Sequence, residues 1–264
     1  MTAAPRPKKQ LGQHFLADPN ILGVIARLAE LSADDVVLEI GPGLGALTRL
    51  LTAGTRHVHA VEIDRSLEPA LRNSVAGETN VDLVFTDAMN LDLSTLDPSP
   101  TKLVANLPYN VATPIVVETL GGHNELQSWC VMVQREVADR FFASPSTKPY
   151  GAVSVLVQLQ AERTGFHPVS RGVFRPPPNV DSALVAFRRT AAPVPEIVRA
   201  LVGASFAHRR KTLANSIALA GLATRGEATA ALAALELPAG VRAEALAPSV
   251  FPPLAVALAE ASAT

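Results

Sequence analysis

Cysteine is almost missing from this chain. The one thiol, Cys130, cannot close an internal disulfide, and its neighbours Trp129, Val131, Met132 and Val133 read as a buried strand. A reducing, cytoplasmic setting is expected. Aromatic residues are scarce too, 5% of 264 positions, and charged residues make up only 18%. With 48% hydrophobic residues, so little charge excludes disorder and leaves ample material for a core. No long apolar run occurs. The most apolar late stretch, 246–261, is broken by Pro248, Pro252 and Pro253, short of the roughly 20 residues of a bilayer span. The first ten residues are polar and lack the apolar core of a secretory signal, so neither export nor a membrane partner is expected.

Net charge is also nearly absent, at -1, but the two signs are unevenly placed. Residues 1–130 carry 9 basic against 15 acidic side chains, and residues 131–264 carry 14 against 9. The excess is sharpest over 131–211, which includes Arg188-Arg189 and His208-Arg209-Arg210-Lys211. A polyanion can dock on such a surface, although a short charge run is also what an ordinary solvated face looks like.

Asp18-Pro19 reads as an N-cap and first helical position, followed by Ile21, Leu22, Ile25, Leu28 and Leu31 at helical spacing. Apolar runs of strand length then alternate with helical segments. The runs are 36–40, 57–63, 81–85, 102–105 and 128–133; the helical candidates include 46–53, 67–75 and 114–120. This alternation predicts an α/β fold, a parallel sheet doubly wound by helices. A helix over 135–143, a breaker-rich loop over 144–151 and two further strands, near 153–161 and 183–187, complete the reading. Beyond Pro193-Val194-Pro195 the chain turns Ala- and Leu-rich with helical periodicity. Three parts are therefore expected: a basic arm over 1–17, an α/β domain over 18–190, and a small all-helical C-terminal domain over 191–264.

The first strand runs into Gly41-Pro42-Gly43-Leu44-Gly45-Ala46, a glycine turn at its carboxyl end that opens a helix, where open α/β sheets bind ligands. Glu62 ends the second strand, where a carboxylate can accept both ribose hydroxyls of a nucleoside. The loop and Glu62 also satisfy the dinucleotide fingerprint, so alone they do not choose a cofactor. Asp87, after the third strand, adds a carboxylate placed for an adenine amino group. No lysine or arginine is set to grip a pyrophosphate, which points towards S-adenosylmethionine.

Asn106-Leu107-Pro108-Tyr109 follows the fourth strand and so shares the carboxyl edge of the glycine loop. A nucleobase amino nitrogen is a poor nucleophile because its lone pair is delocalised into the ring. Acceptors for its N–H groups, the Asn106 amide oxygen and a nearby backbone carbonyl, would draw it towards tetrahedral geometry and aim the lone pair at a methyl donor. Tyr109 would stack on the base, and Phe174, held before Pro176-Pro177-Pro178, is a candidate second stacking face.

The ordered set Gln13-His14-Phe15-Leu16, Glu39-Ile40-Gly41-Pro42-Gly43, Glu62-Ile63-Asp64, Asp87-Ala88-Met89, Asn106-Leu107-Pro108-Tyr109, Gln134-Arg135-Glu136-Val137, Phe174 to Ala183, and Phe206 to Leu213 resembles the KsgA-type ribosomal RNA adenine dimethyltransferases. The resemblance spans about residues 8–254. It implies a seven-stranded, Rossmann-like methyltransferase sheet with a helical C-terminal domain, S-adenosylmethionine as methyl donor, and a role in ribosome biogenesis. The implied reaction converts two adjacent adenosines near the 3′ end of 16S rRNA, in the small subunit or its precursor, to N6,N6-dimethyladenosine. It further implies cofactor contacts at His14, Leu16, Gly41, Gly43, Gly45, Glu62, Asp87 and Asn106. The catalytic clamp falls on Asn106, Leu107, Pro108, Tyr109 and Phe174, and the rRNA backbone on Arg209, Arg210 and Lys211. His14 departs from the pattern, which often has Asn there, so the backbone and Leu16 are expected to carry that contact.

Three rivals are weighed: an Erm-type methyltransferase of large-subunit rRNA, a ribosome-assembly factor acting mainly by binding, and a nicotinamide oxidoreductase. The tail Arg242-Ala243-Glu244-Ala245-Leu246 with Phe251 and Leu254 favours the KsgA type. No metal is expected: His14, His57, His59, His123, His167 and His208 show no ligand spacing with cysteine or carboxylates. His57 and His59, which could share a strand face, are read as structural. A monomer is expected.

Overall fold

A computed structural model describes residues 7–8 and 11–263 of the chain. The rest of the expected basic arm, 1–6 and 9–10, lies outside the described residues. The chain begins with strand β1 (Phe15–Leu16) and helix α1 (Pro19–Leu28), then alternates β2 (Val36–Ile40), α2 (Ala46–Gly54), β3 (His57–Glu62), α3 (Glu68–Ser74), β4 (Val81–Phe85), β5 (Lys102–Asn106), α4 (Ala112–Gly122) and β6 (Ser128–Gln134). Next come α5 (Arg135–Phe141), α6 (Ala152–Gln158), β7 (Ala161–Val169), β8 (Phe174–Arg175) and β9 (Ser182–Arg189), followed by α7 (Glu196–Ala207), α8 (Leu213–Leu219), α9 (Arg225–Ala234) and α10 (Phe251–Ser262).

Seven strands form the main sheet in the order β4-β3-β2-β5-β6-β9-β7, and β1 pairs with β8 in a separate two-stranded ladder. The pairs from β4 through β6 are parallel, whereas β9 runs antiparallel to β6. The five strands expected to lie parallel do so, and the antiparallel β9 extends the sheet beyond them. Every residue of β2 is buried, as a strand covered on both faces requires, and on one face Val37, Val58 and Val104 meet Ile21 and Ile25 of α1 and Leu47 and Leu51 of α2. Asp18 caps α1 by accepting from the Asn20 N–H at 2.8 Å, as its Asp-Pro start predicts. At the far end of α4, Arg189 donates to the carbonyls of Leu120, His123 and Leu126 at 2.9–3.0 Å, satisfying groups that the helix end and its following loop leave open.

The strand expected near 153–161 is a helix. The Gly151 N–H donates to Ser154 Oγ at 3.1 Å at its start, and α6 buries Ser154, Val155 and Val157, so tertiary burial overrides the β-branched composition. The strand lies just beyond, in β7, where exposed Glu162, Arg163 and Thr164 and the breakers Gly165 and Pro168 mask the apolar signal. The described residues form two compact units, one of those up to Ala138 with Glu162–Thr190, the other of Asp139–Ala161 with 191–263. Residues 139–161, read from the sequence as part of the α/β domain, thus pack with the C-terminal helices. Tyr150 explains why: it is fully buried in the helical core beside Val202, Leu213 and Phe251, and its hydroxyl donates to the Leu246 carbonyl at 2.7 Å. Among the described residues, no helix is long and apolar enough to cross a membrane.

Candidate cofactor pocket and adenine site

Parallel strands bring their carboxyl ends to one edge, and β2 sits where the strand order reverses, with β3 on one side and β5 on the other. Gly41, Glu62, Asp87 and Asn106 follow or end four of these strands, so the fold itself assembles the sequence-predicted pocket. One cavity is lined by Gly12, His14, Leu16, Glu39, Gly43, Glu62 and Asn106, among others. An adjoining cavity of about 230 Å³ is lined by Ile63, Asp87, Val111 and Ile115, and the two share Leu11, Gly41, Glu62, Ile63 and Pro108.

The loop after β2 needs glycine for conformation and for space. Gly43 has φ +58° and an added Cβ would stand 2.9 Å from the Phe15 ring, while Gly45, at φ +83°, opens α2 hard against Ser74. The Glu62 carboxylate is already used: Oε2 accepts from the Gly43 N–H at 3.1 Å and Oε1 from the Asp64 N–H at 2.8 Å. Each oxygen keeps a second lone pair, so the group can brace the loop and still receive ribose hydroxyls. Burial holds its pKa above the usual carboxylate range, against those two backbone bonds. Asp87 caps a short 3₁₀ turn through Oδ1, which accepts from the Met89 N–H at 2.9 Å, and this cap fixes the carboxylate at the cavity wall.

Asn106 is oriented by the main chain. Its Nδ2 donates to the His14 carbonyl at 3.1 Å, and because that oxygen can only accept, the amide cannot flip without losing the bond; Oδ1 remains the acceptor. The His14 side chain is engaged elsewhere, donating from Nδ1 to the Pro176 carbonyl at 2.8 Å and stacking on Tyr109 with centroids 5.5 Å apart. Tyr109 is anchored at its hydroxyl by Ser182. Pro108 lies under Gly41, and Leu107 is a core residue whose N–H donates to the Met132 carbonyl at 3.0 Å. Leu16 lines the pocket and packs on the sheet core.

Two expected site residues are placed differently. Phe174 is fully buried, packed in the core with Leu16 and Val173 near the β1–β8 ladder, and offers no open ring face to a base. Burial of a large apolar ring outweighs exposure, which is the common fate of a lone aromatic. Arg209 is partly committed within the helical unit, donating to the Tyr150 carbonyl at 3.0 Å, whereas Arg210 and Lys211 are exposed.

Sequence reasoning missed two groups. Asp64, next to Glu62, accepts from Lys8 Nζ at 2.6 Å, Gln13 Nε2 at 2.8 Å and Ser66; burial opposes its ionisation, but these bonds hold its pKa well below the usual range. This knot ties the N-terminal segment to the end of β3. The other is Glu39, a carboxylate within the apolar run Val36-Val37-Leu38, which was the available signal. It is buried, its Oε2 has no partner although it borders the first cavity, and burial together with the charge of Glu62 pushes its pKa up to about 8. The folded protein therefore keeps a proton on Glu39 that the unfolded chain releases near its ordinary pKa. The stability tied to that proton is complete below about pH 4.5 and lost as pH rises through about 8. The cofactor-free Glu39→Gln variant should gain in Tm over the parent as pH rises from about 5 to 9. Parallel Tm profiles for the two would contradict a buried proton here.

The residues fit an S-adenosylmethionine-sized ligand: a loop with glycine at every second position, a braced carboxylate for ribose, Asp87 beside apolar Ile63 and Ile115, and an orphaned buried oxygen on Glu39. Fold and pocket define the class, an S-adenosylmethionine-dependent methyltransferase.

Comparison with known proteins narrows the class. The model of the ribosomal RNA adenine dimethylase family matches residues 5–244. The chain is 47% identical over 249 residues to ribosomal RNA small subunit methyltransferase A of Rubrobacter xylanophilus, covering 94% of this chain and 93% of that one. It is 46% identical to the protein of the same name in Thermobifida fusca, over 87% and 82% of the two chains. In structure it is similar to a dimethyladenosine transferase from Plasmodium falciparum (TM-score 0.78, 23% identity, 94% and 98% covered). It is also similar to the 23S rRNA methyltransferase ErmE (TM-score 0.66, 29% identity, 93% and 99% covered). The chain belongs to the ribosomal RNA adenine dimethylase family, and its substrate is ribosomal RNA.

Proposed function

We propose that this enzyme dimethylates the N6 amino groups of two adjacent adenosines near the 3′ end of 16S rRNA, within the small subunit or its precursor, as a cytoplasmic monomer serving subunit biogenesis. The orientation of Asn106 carries this reading: with Nδ2 held by the His14 carbonyl, Oδ1 stands at the cofactor edge as an acceptor for an adenine N–H. When bound, S-adenosylmethionine supplies an electrophilic methyl group on a cationic sulfur.

The chain's own residues do the rest. The loop Gly41, Gly43 and Gly45, braced by Glu62, with Leu16 and the His14 backbone, would hold the cofactor, and Asp87 would meet its adenine. A target adenosine leaves its stack at a cost of a few kcal/mol, least for an exposed loop nucleotide. Its base lies against Tyr109, which the Ser182 bond keeps fixed. Asn106 Oδ1 and the Leu107 carbonyl accept the two N–H bonds, Pro108 stiffens the turn that presents them, and the nitrogen's own lone pair is drawn out of conjugation with the ring; a bound S-adenosylmethionine would supply the methyl group to it, the C–S electron pair leaving with the neutral thioether. The proton released afterwards passes to solvent, so no strong base is needed. Phe174 supports the clamp from the core side, and Arg210 and Lys211, with what Arg209 can spare, bind the phosphate backbone.

The test is to offer labelled S-adenosylmethionine with unmethylated small subunits, large subunits or their naked rRNAs, and to locate the product by mass spectrometry. N6,N6-dimethyladenosine should appear only at adjacent adenosines of small-subunit rRNA. Label in large-subunit rRNA would move the assignment to the Erm type. Tight subunit binding without transfer would favour an assembly factor.

A further inference from the structure

The opposite end of the sheet holds a cluster with no part in methyl transfer. His57 and His59 are two residues apart on β3 and therefore share a face, and the parallel register sets Asp82 of the edge strand β4 directly beside His59. His57 Nε2 lies 2.9 Å from Asp82 Oδ2, His59 Nδ1 lies 3.6 Å from the same oxygen, and the two rings are 4.6 Å apart. All three ligand-type atoms fall within 4.8 Å of one another.

His59 decides how the cluster is read. It is 1% exposed, and its Nε2 lies 2.8 Å from the Pro98 carbonyl, an oxygen that can only accept. Nε2 must carry the proton. In the neutral ring Nδ1 is then a bare lone pair, and it is buried without a hydrogen-bond partner. The His57–Asp82 contact explains His57 but leaves this lone pair without a purpose. An imidazole whose far N–H donates to a backbone carbonyl while the other nitrogen stands bare is arranged as a metal-binding histidine is.

We propose that His57 Nε2, His59 Nδ1 and Asp82 Oδ2 bind a zinc ion. In a tetrahedral site with bonds of roughly 2.0–2.2 Å, ligand atoms sit about 3.3 Å apart. The 2.9 and 3.6 Å separations bracket that value and the two ring nitrogens lie within 4.8 Å of each other, so closure draws the three side chains onto one point between them. Binding requires His57 to carry its proton on Nδ1 instead of Nε2. Asp82 is 55% exposed, and water completes the fourth position. His59 is three residues from Glu62, about 10 Å along the strand, so the ion stands apart from the methyl-transfer site, where it joins the edge strand β4 to β3.

The experiment uses the full chain, stripped with chelator, and zinc chloride in competition with a chromophoric chelator, alongside Tm and methyl-transfer rate. The parent should take up one zinc tightly and gain Tm with it, without change in methyl-transfer rate. His57→Gln and Asp82→Asn, both at accessible positions, should each weaken zinc at least about tenfold, the scale that even outer-shell partners command. His167→Gln should bind as the parent does. Cobalt(II) should give the intense visible absorption of a tetrahedral site in the parent and not in Asp82→Asn. No uptake by the parent, or uptake insensitive to His57→Gln and Asp82→Asn, overturns the proposal.

Discussion

Replacing Asn106 with alanine should lower kcat for adenosine methylation by about 10²–10³-fold, the usual consequence of losing one preorganised hydrogen-bonding group at a reacting centre. The substitution removes Oδ1, the acceptor that makes the amino nitrogen nucleophilic, and leaves Tyr109, the basic surface and the helical unit untouched. Binding of small subunits should stay within about threefold of the parent. Single-turnover methylation with saturating cofactor, measured beside filter binding of subunits, separates the two. An Asn106→Ala enzyme that methylates at the parental rate would sink the acceptor mechanism. A parallel loss of subunit affinity would instead assign Asn106 to RNA binding.

Gly45→Ala is expected to be the most damaging single-methyl change in the glycine loop. At φ +83° a side chain is strained, and the added Cβ would stand 1.9 Å from Ser74 Oγ and 3.1 Å from Leu71 Cδ1. Left-handed strain of about 1–2 kcal/mol and overpacking of about 1–3 kcal/mol together predict a Tm drop on the order of 5–10 °C. The displaced loop should weaken S-adenosylmethionine by at least about tenfold. Gly54→Ala, at the other end of α2, is the matched control, since an added Cβ there meets nothing within 4 Å. Calorimetry of both variants with and without cofactor checks the pair. If Gly45→Ala behaves like Gly54→Ala, the loop tolerates side chains and the close-approach argument is wrong.

Much of this was legible in the sequence because parallel strands advertise themselves. Val36–Ile40 and Ser128–Gln134 are largely apolar runs, and the residues that end or follow Val36–Ile40 and His57–Glu62 fall at the ligand-binding edge by topology alone. Residues 152–158 were not legible: Val153, Val155 and Val157 alternate as a strand would, and only packing with the C-terminal helices makes them helical. The exposure of Phe174 was equally hidden, since an aromatic before three prolines looks the same whether its ring faces a groove or the core. Distances along the chain also concealed the knot of Lys8, Gln13 and Asp64, whose members are 51 and 56 residues apart.

The clasp on Asn106 is made by a peptide oxygen, and every amino acid brings one to position 14. What must be kept there is the path of the chain, not the chemistry of the side chain. The identity of the side chain at position 14 is therefore neutral as far as the acceptor is concerned. Position 14 can drift as long as the short β1–β8 ladder keeps delivering its carbonyl to the same spot.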